Sequence, residues 1–407
     1  RQGSAEPPEV NAMRIILLVI LLAALSPARG GEADISGSLE MQARTFGHDP
    51  VWVGQDEQAL QGTVVSTIEF RWRNEEGNQR GSFIPYLRWD ATDDERSLVD
   101  LKEAYWAFEG DDYEVLVGAN TVFWGVTESV HLVDIINQTD FAGDIDGEDK
   151  LGQPMISLAL QRDWGEISAF VLPYFRERTF PGVDGRFRPP VPVDTDNPLY
   201  ESSDEESHVD LALRYSHYIG DVDIGLHAFS GTSREPRFVP SSDGQSLLPV
   251  YDLIDQFGID LQYTKDAWLW KLEAMARDGA SHSYAAAVGG FEYTLYQVSD
   301  SSADVGLLLE YQYDGRNELE PVTIADNDVF IGARLALNDI QDTAVLAGVA
   351  YDVDTGETFV NIEAERRFGD DWFAELRVRA FSGAEQGDTT YWLQKDDYVQ
   401  LSVARYF

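Results

Sequence analysis

There is no cysteine among the 407 residues of this sequence, so its fold holds without disulfide staples and without thiolate metal ligands. Basic residues are scarce. Thirty Lys and Arg (30) face 72 Asp and Glu, for a net charge of −42, a balance that excludes nucleic acid as a partner because phosphate binding needs the opposite sign. Long apolar runs are rarer still. The one stretch of this kind, MRIILLVILLAAL from Met13 to Leu25, is short for a membrane helix. With a basic residue at its start and the small residues of SPARGGEA behind it, it reads as the apolar core of a secretory signal, cleaved after Gly30 or Ala33. Residues 1–12 then read as an upstream extension without structural role, 13–30 as the signal peptide and 31–407 as one domain. Past residue 30 nothing approaches the roughly 20 apolar residues of a spanning helix, so a membrane location requires a β-barrel.

What the sequence does have is alternation with a period of two, the mark of strands with one apolar face. In ISGSLEMQART (35–45) Ile35, Gly37, Leu39, Met41 and Ala43 alternate with Ser36, Ser38, Glu40, Gln42 and Arg44. In TVVSTIEFRWR, Val64, Ile68, Phe70 and Trp72 stand against Thr67, Glu69, Arg71 and Arg73, and in WLWKLEAMAR, Trp268, Trp270 and Leu272 stand against Lys271 and Glu273. The last strand, within DYVQLSVARYF (397–407), alternates Val399, Leu401, Val403 and Arg405 with Gln400, Ser402 and Ala404 and ends on Phe407. A final strand this regular is expected to pair with residues 35–45 and close a barrel.

A soluble sandwich alternates too, and 10 Trp, 18 Tyr and 20 Phe suit a sandwich as well as membrane-interface girdles. Connection lengths discriminate better. About 18 strands are expected, with 16 as the alternative count. Tight turns (EGDD 109–112, DWGE 163–166, YIGD 218–221, TKDA 264–267, FGDD 368–371) alternate with long connections near 46–61, 124–153, 177–205, 233–253, 314–327 and 383–396. Short turns on one rim and long loops on the other predict an all-β chain forming a single transmembrane antiparallel barrel. NEEGNQRG (74–81) and YQVSDSSAD (296–304) are longer than their expected place on the turn rim suits.

With its signal sequence, its alternating last strand and the closing Phe407, the chain resembles Gram-negative outer-membrane β-barrel proteins. The segment LKEAYWAFEGDDYEVLVGANTVFWG (101–125) and the following VTESVHLVDIINQTDF are similar to porin-like and alginate-export-like barrels, within a little-characterised subgroup. The resemblance implies an outer-membrane location, long loops outside the cell and short turns in the periplasm. It also implies contact with outer-membrane lipid and a last strand (Val399, Leu401, Val403, Phe407) read by the barrel-assembly machinery. Arg405 departs from the apolar residue usual two places before the end.

The connection 124–153 is the most informative loop. Val130, Val133 and Ile136 at helical spacing after Thr127 predict a short amphipathic helix that needs a wall to lie on, and the inner wall of the barrel is nearest. Trp124, Thr127, His131, Asp134, Asn137 and Asp140 are therefore taken as residues of a pore constriction, the alternative being a loop that caps the mouth. Ser129, His131, Asp134 and Asn137 do not make a hydrolase, since no nucleophile elbow accompanies them, and no catalysis is expected. In GDIDGED (143–149), Asp144, Asp146 and Asp149 offer a weak Ca²⁺ or Mg²⁺ site, or simply a solvated acidic turn. No other cofactor is implied.

Inward charges are expected at Arg44, Glu69, Arg71, Arg73, Arg88, Glu103, Lys271, Glu273, Arg334 and Arg377, where they either select solutes or only solvate the lumen. The acidic stretches 90–96, 194–206 and 325–328 are expected to point outward at the mouth. Together these features predict a water-filled channel for passive diffusion of small hydrophilic solutes. The alternatives are a barrel enzyme of lipase or protease type and a plugged structural or adhesive barrel.

Overall fold

The computed structural model describes residues 31–407, so the expected extension and signal peptide, residues 1–30, lie outside the described residues. In chain order the strands are β1 (Gly31–Phe46), β2 (Leu60–Asn74), β3 (Gln79–Asp90), β4 (Leu98–Glu109), β5 (Tyr113–Asn120), β6 (Gln153–Arg162) and β7 (Gly165–Leu172). There follow β8 (Leu199–Tyr200), β9 (Asp210–Ile219), β10 (Val222–Thr232), β11 (Arg237–Pro240), β12 (Leu247–Tyr251), β13 (Leu253–Lys265) and β14 (Trp268–Asp278). The last are β15 (Ser283–Leu295), β16 (Asp304–Asp314), β17 (Asn327–Ala336), β18 (Ala344–Asp352), β19 (Thr358–Phe368), β20 (Trp372–Ser382) and β21 (Tyr398–Tyr406). Eighteen of them form one antiparallel sheet of 18 strands, and β8, β11 and β12 form a separate small sheet within the long connections. The described residues contain no α-helix.

The sheet closes on itself. β21 pairs with β1 from Phe46 opposite Tyr398 to Ser38 opposite Tyr406, and beyond that register Gly37 and Phe407 exchange two backbone hydrogen bonds of 3.0 Å. Closure leaves no sheet edge to be covered. Turn chemistry explains the short rim: Gly220 (φ +64°) and Gly369 (φ +65°) sit in left-handed conformations that reverse the chain between β9 and β10 and between β19 and β20. The NEEGNQRG connection proves to be such a turn, with the Gly77 N–H donating to the Asn74 carbonyl at 3.0 Å. Pro85 stands in mid-strand, where a ladder donor is lost. The register between β3 and β4 shifts there, and the extra residue in β4 brings Lys102 and Glu103 to the same side.

The alternating residues sort as the sequence predicts. Ile35, Leu39, Met41, Leu272, Val399 and Leu401 are exposed on the outside, whereas Arg44, Glu273, Gln400 and Ser402 are buried within. Outward aromatics collect near both rims. Trp268 stacks on Trp270 at 5.5 Å and Trp164 on Tyr215 at 6.2 Å on the turn side, while Trp89, Phe257, Tyr313 and Tyr351 lie exposed on the loop side. Arg405, the departure noted in the last strand, lies 5.7 Å over the Trp372 ring, where a guanidinium can face the headgroup layer. The acidic mouth is only partly as expected, because Asp90, Asp93 and Asp328 are turned inward and buried.

Candidate functional site

The connection from β5 to β6, residues 121–152, enters the lumen and is held by side chains from strands all around it. On one side Glu273 of β14 accepts the backbone N–H of Val126 (2.7 Å) and Thr127 (3.0 Å) and the Thr127 hydroxyl (2.7 Å). Glu310 of β16 accepts the N–H groups of Glu128 and Ser129, both at 2.9 Å, and the Ser129 hydroxyl. Glu128 in turn pairs with Arg334 (2.6 Å) and Lys271 (3.7 Å). On the opposite side Asp144 meets Arg377 (2.6 Å), Arg44 (3.6 Å), Arg379 (3.7 Å) and the Tyr398 hydroxyl (3.2 Å). Asp140 forms a two-pronged pair with Arg88 at 2.8 and 3.0 Å. At the loop's feet the Asn137 amide spans from Val122 N–H to the carbonyls of Asn120 and Leu151.

The expected helix does not form. The segment runs as turns and extended chain, and Glu273 takes not only the N–H groups of Val126 and Thr127 but also that of Val133, which a helix would have bonded to the carbonyl four residues before it. Its apolar residues still need a wall. Trp124, Val133, Ile135 and Ile136 pack on Leu116, Met155, Phe170, Leu172, Phe229 and Ile254 of the barrel's inner face. The inner wall was the expected support for the loop's apolar residues, but the apolar patch on it was not located. The signal was present in QPMISLALQR and EISAFVL, where both alternating sets carry apolar residues, as in a sheet covered on both faces.

The other sequence-predicted residues divide clearly. Trp124 is buried, edge-on to Phe170 at 5.7 Å with Arg214 4.9 Å over its ring. Asp134 pairs with Lys150 at 3.2 Å and accepts the Trp124 N–H. His131 has Nδ1 3.6 Å from Glu273, and the Ser129 hydroxyl is already given to Glu310, so the two share no hydrogen bond. Glu69, Arg71 and Arg73 do not touch the loop. They lie in the turn-side half of the lumen, where the Arg71 side chain is 53% exposed and pairs with Glu69 at 3.1 Å. Glu103 is half-buried beside them and makes no contact with the loop among the described ion pairs.

Asp144, Asp146 and Asp149 are not gathered around one point. Asp144 is 3% exposed and Asp146 reaches Arg379 at 2.8 Å, so arginine already occupies the place a cation would take. Burial alone would raise the Asp144 carboxyl, but the Arg379, Arg44 and Arg377 guanidiniums outweigh it and hold it well below the ordinary carboxylate range.

The second inserted connection, 173–209, is anchored by residues that sequence reasoning did not single out. Arg176 pairs with Asp100 at 2.6 Å, Arg186 with Asp396 at 2.8 Å, and Arg188 donates to the Val53 carbonyl at 2.6 Å. Asp93 accepts the Gly182 N–H and is pushed up to about 6 by burial, while Asp396 is pushed up to about 7 by the same cause. The run of arginine and aromatic residues in FRERTFPGVDGRFR was the available sign that this loop is anchored.

A closed 18-stranded barrel with an apolar belt, aromatic rims and loops turned into its lumen is an outer-membrane β-barrel protein of porin-like architecture. Among solved structures it is similar to Wzi of Escherichia coli, an outer-membrane protein involved in group 1 capsule assembly and described as a carbohydrate-binding β-barrel. That likeness has 9% identity over 100% of this chain and 89% of the other, with a TM-score of 0.57. It is also similar to OccK5 (OpdH) of Pseudomonas aeruginosa (10% identity, 92% and 97% covered, TM-score 0.52) and OpdQ of the same organism (11%, 93% and 98%, 0.50). No family model matches the sequence, and no curated protein matches it.

Proposed function

We propose that the protein is an outer-membrane channel for passive diffusion of small hydrophilic solutes, with residues 121–152 setting its narrowest section. The observation that carries this reading is the way the loop is clamped from both sides of the lumen, by Glu273 and Glu310 opposite Arg44, Arg377 and Arg379. The turn-side half, in contrast, keeps charges of both signs in water at Glu69 and Arg71. A barrel of this strand number belongs to the class wide enough to hold an aqueous channel beside inserted loops. The partners this implies are outer-membrane lipid on the outer face and the assembly machinery at the last strand.

A second reading is a plugged structural or adhesive barrel whose outer end binds carbohydrate; Wzi is described as a carbohydrate-binding β-barrel. It is favoured by the fully buried Arg188, Arg379, Tyr398 and Phe175 in the loop-side half. Single-channel recording in planar bilayers separates the two. For a channel, the wild type conducts and deletion of Ser129 to Asp144 raises the conductance. A plugged barrel is silent until that segment is removed. Unchanged conductance in a correctly folded deletion variant would sink the constriction role.

A further inference from the structure

Four of the six histidines stand beside a carboxylate: His48 near Asp397 (3.8 Å), His131 near Glu273 (3.6 Å), His208 near Asp210 (2.9 Å) and His282 near Glu320 (3.4 Å). Each of these carboxylates also accepts backbone N–H groups. Asp397 takes that of Phe381, Asp210 that of Thr232, Glu320 those of Ala280 and Ser281, and Glu273 those of Val126 and Thr127. Imidazole and chain fastening thus meet at the same acid. The His131–Glu273 pair is the most enclosed of the four, with side chains 22% and 0% exposed, and it joins the inserted connection to the barrel wall.

That pair is poised and not closed. His131 Nδ1 is buried without a hydrogen-bond partner among the described residues, because 3.6 Å to Glu273 Oε1 is too long for one. Gly125 keeps the gap clear, since a Cβ there would lie 2.9 Å from His131 Nδ1 and 3.1 Å from Glu273 Oε1. A protonated ring would bring a charged N–H to that gap, whereas a neutral one with its lone pair at Nδ1 gains nothing from a carboxylate. The other charges around the ring leave it unopposed. Asp134 and Glu148 act on it from its own connection. Lys150 is engaged by Asp134 at 3.2 Å, Lys271 and Arg334 by Glu128, and Arg277 by Glu235. Phe123 meets the ring edge-on at 4.8 Å, and His227 of β10 is turned to Gln256 of β13 at 3.0 Å.

We propose that His131 and Glu273 form a pH-sensitive latch, which fastens residues 126–133 of the inserted connection to β14 when the imidazole is protonated. Burial alone would lower the proton affinity of His131, but Glu273, with Asp134 and Glu148 near it, outweighs burial and raises it above the ordinary value near 6.5. A proton held more tightly with the segment seated than with it released favours the seat. The contribution is fully present below about pH 6.5 and is lost as pH rises through the raised value. Acid therefore tightens the segment, and in alkali Val126, Thr127 and Val133 are held only by their hydrogen bonds to Glu273. Any effect of the latch on flow rests on the channel reading; the latch itself does not.

The test is hydrogen exchange of peptides covering residues 126–133, followed by mass spectrometry on the refolded full chain in detergent from about pH 8.5 down to about pH 5.5. Rates are corrected for the intrinsic pH dependence of exchange. Protection of this segment should rise at least about threefold on acidification, with a midpoint above about 6.5. His131→Gln should abolish the rise, and Asp93→Asn, which alters the other inserted connection, should keep it. The proposal is overturned if wild-type protection stays flat or falls, if its midpoint lies in the carboxylate range, if the rise survives in His131→Gln, or if it vanishes in Asp93→Asn. Heat-modifiable mobility shows whether His131→Gln has folded, and the wild-type midpoint decides if it has not. Exchange is read without any current, so a silent barrel that shows the rise defeats the channel reading and leaves the latch standing.

Discussion

Asp144 shows how a single side chain can decide the state of the lumen. It is the shared counter-charge of Arg44, Arg377 and Arg379, of which Arg44 and Arg379 have side chains only 6% and 1% exposed. Removing it in Asp144→Ala strands the buried Arg44 guanidinium, whereas Arg379 keeps Asp146 and Glu363, a loss of about 3–5 kcal/mol by the usual cost of breaking a buried pair. The expected result is a lower temperature for the loss of the compact, heat-modifiable form on gels, together with noisier and larger single-channel currents. Gly143, next to it, carries a steric version of the same test. A Cβ there would lie 2.6 Å from Arg88 Nη1 and 2.8 Å from Asp149 Oδ2. Gly143→Ala must displace the Arg88–Asp140 pair and should cost about 1–3 kcal/mol, measured as the same shift in unfolding temperature, whereas alanine at Gly147, where only Thr139 comes near (3.9 Å) and φ is +74°, tests backbone strain alone.

At the scale of strands and loops, the barrel was legible and the fate of the loops was not. A period of two is a local property, so the parity that sends Leu39 out and Arg44 in could be read without knowing any partner. The course of residues 121–152 is non-local. Its hydrogen-bonding groups find carboxylates 140 to 182 positions away in sequence, and no local propensity encodes that. The helix expected from Val130, Val133 and Ile136 failed for this reason: the same apolar spacing serves an extended segment lying on an apolar wall. Loops also carry the pH dependence. Asp93 at about 6 and Asp396 at about 7 hold their protons more tightly folded than unfolded, where a carboxyl has its ordinary value near 3.8. Their burial therefore costs stability above these values, and the cost is relieved as pH falls toward about 4. The thermal midpoint should rise between pH 8 and pH 5, and Asp93→Asn and Asp396→Asn should each flatten that rise. A midpoint that falls over the same range would show that other carboxylates dominate.

Across the whole molecule the net charge of −42 meets an interior in which arginine is largely spoken for. Arg44 and Arg88, which alone would argue for anions, are neutralised by Asp144 and Asp140, while Arg71 and Arg73 remain solvated on the periplasmic side. The acidic outer loops act through a screening length of about 8 Å at physiological salt and about 3 Å at 1 M. Reversal potentials across a salt gradient should show cation preference at low mean salt that fades as salt rises, and strong anion preference at low salt would mean that Arg71 and Arg73 govern entry. The Asp144 socket also has a history in time. Arg44 belongs to β1, Arg377 and Arg379 to β20 and Tyr398 to β21, so the groups that grip Asp144 stand on both sides of the seam where β1 meets β21. While the sheet is still open, Arg44 lies at one far edge and Arg377, Arg379 and Tyr398 at the other, so the socket is only partly built. Full seating of Asp144 must then follow the zipping of the seam, and Arg44 completes its grip only once the sheet has become a finished cylinder.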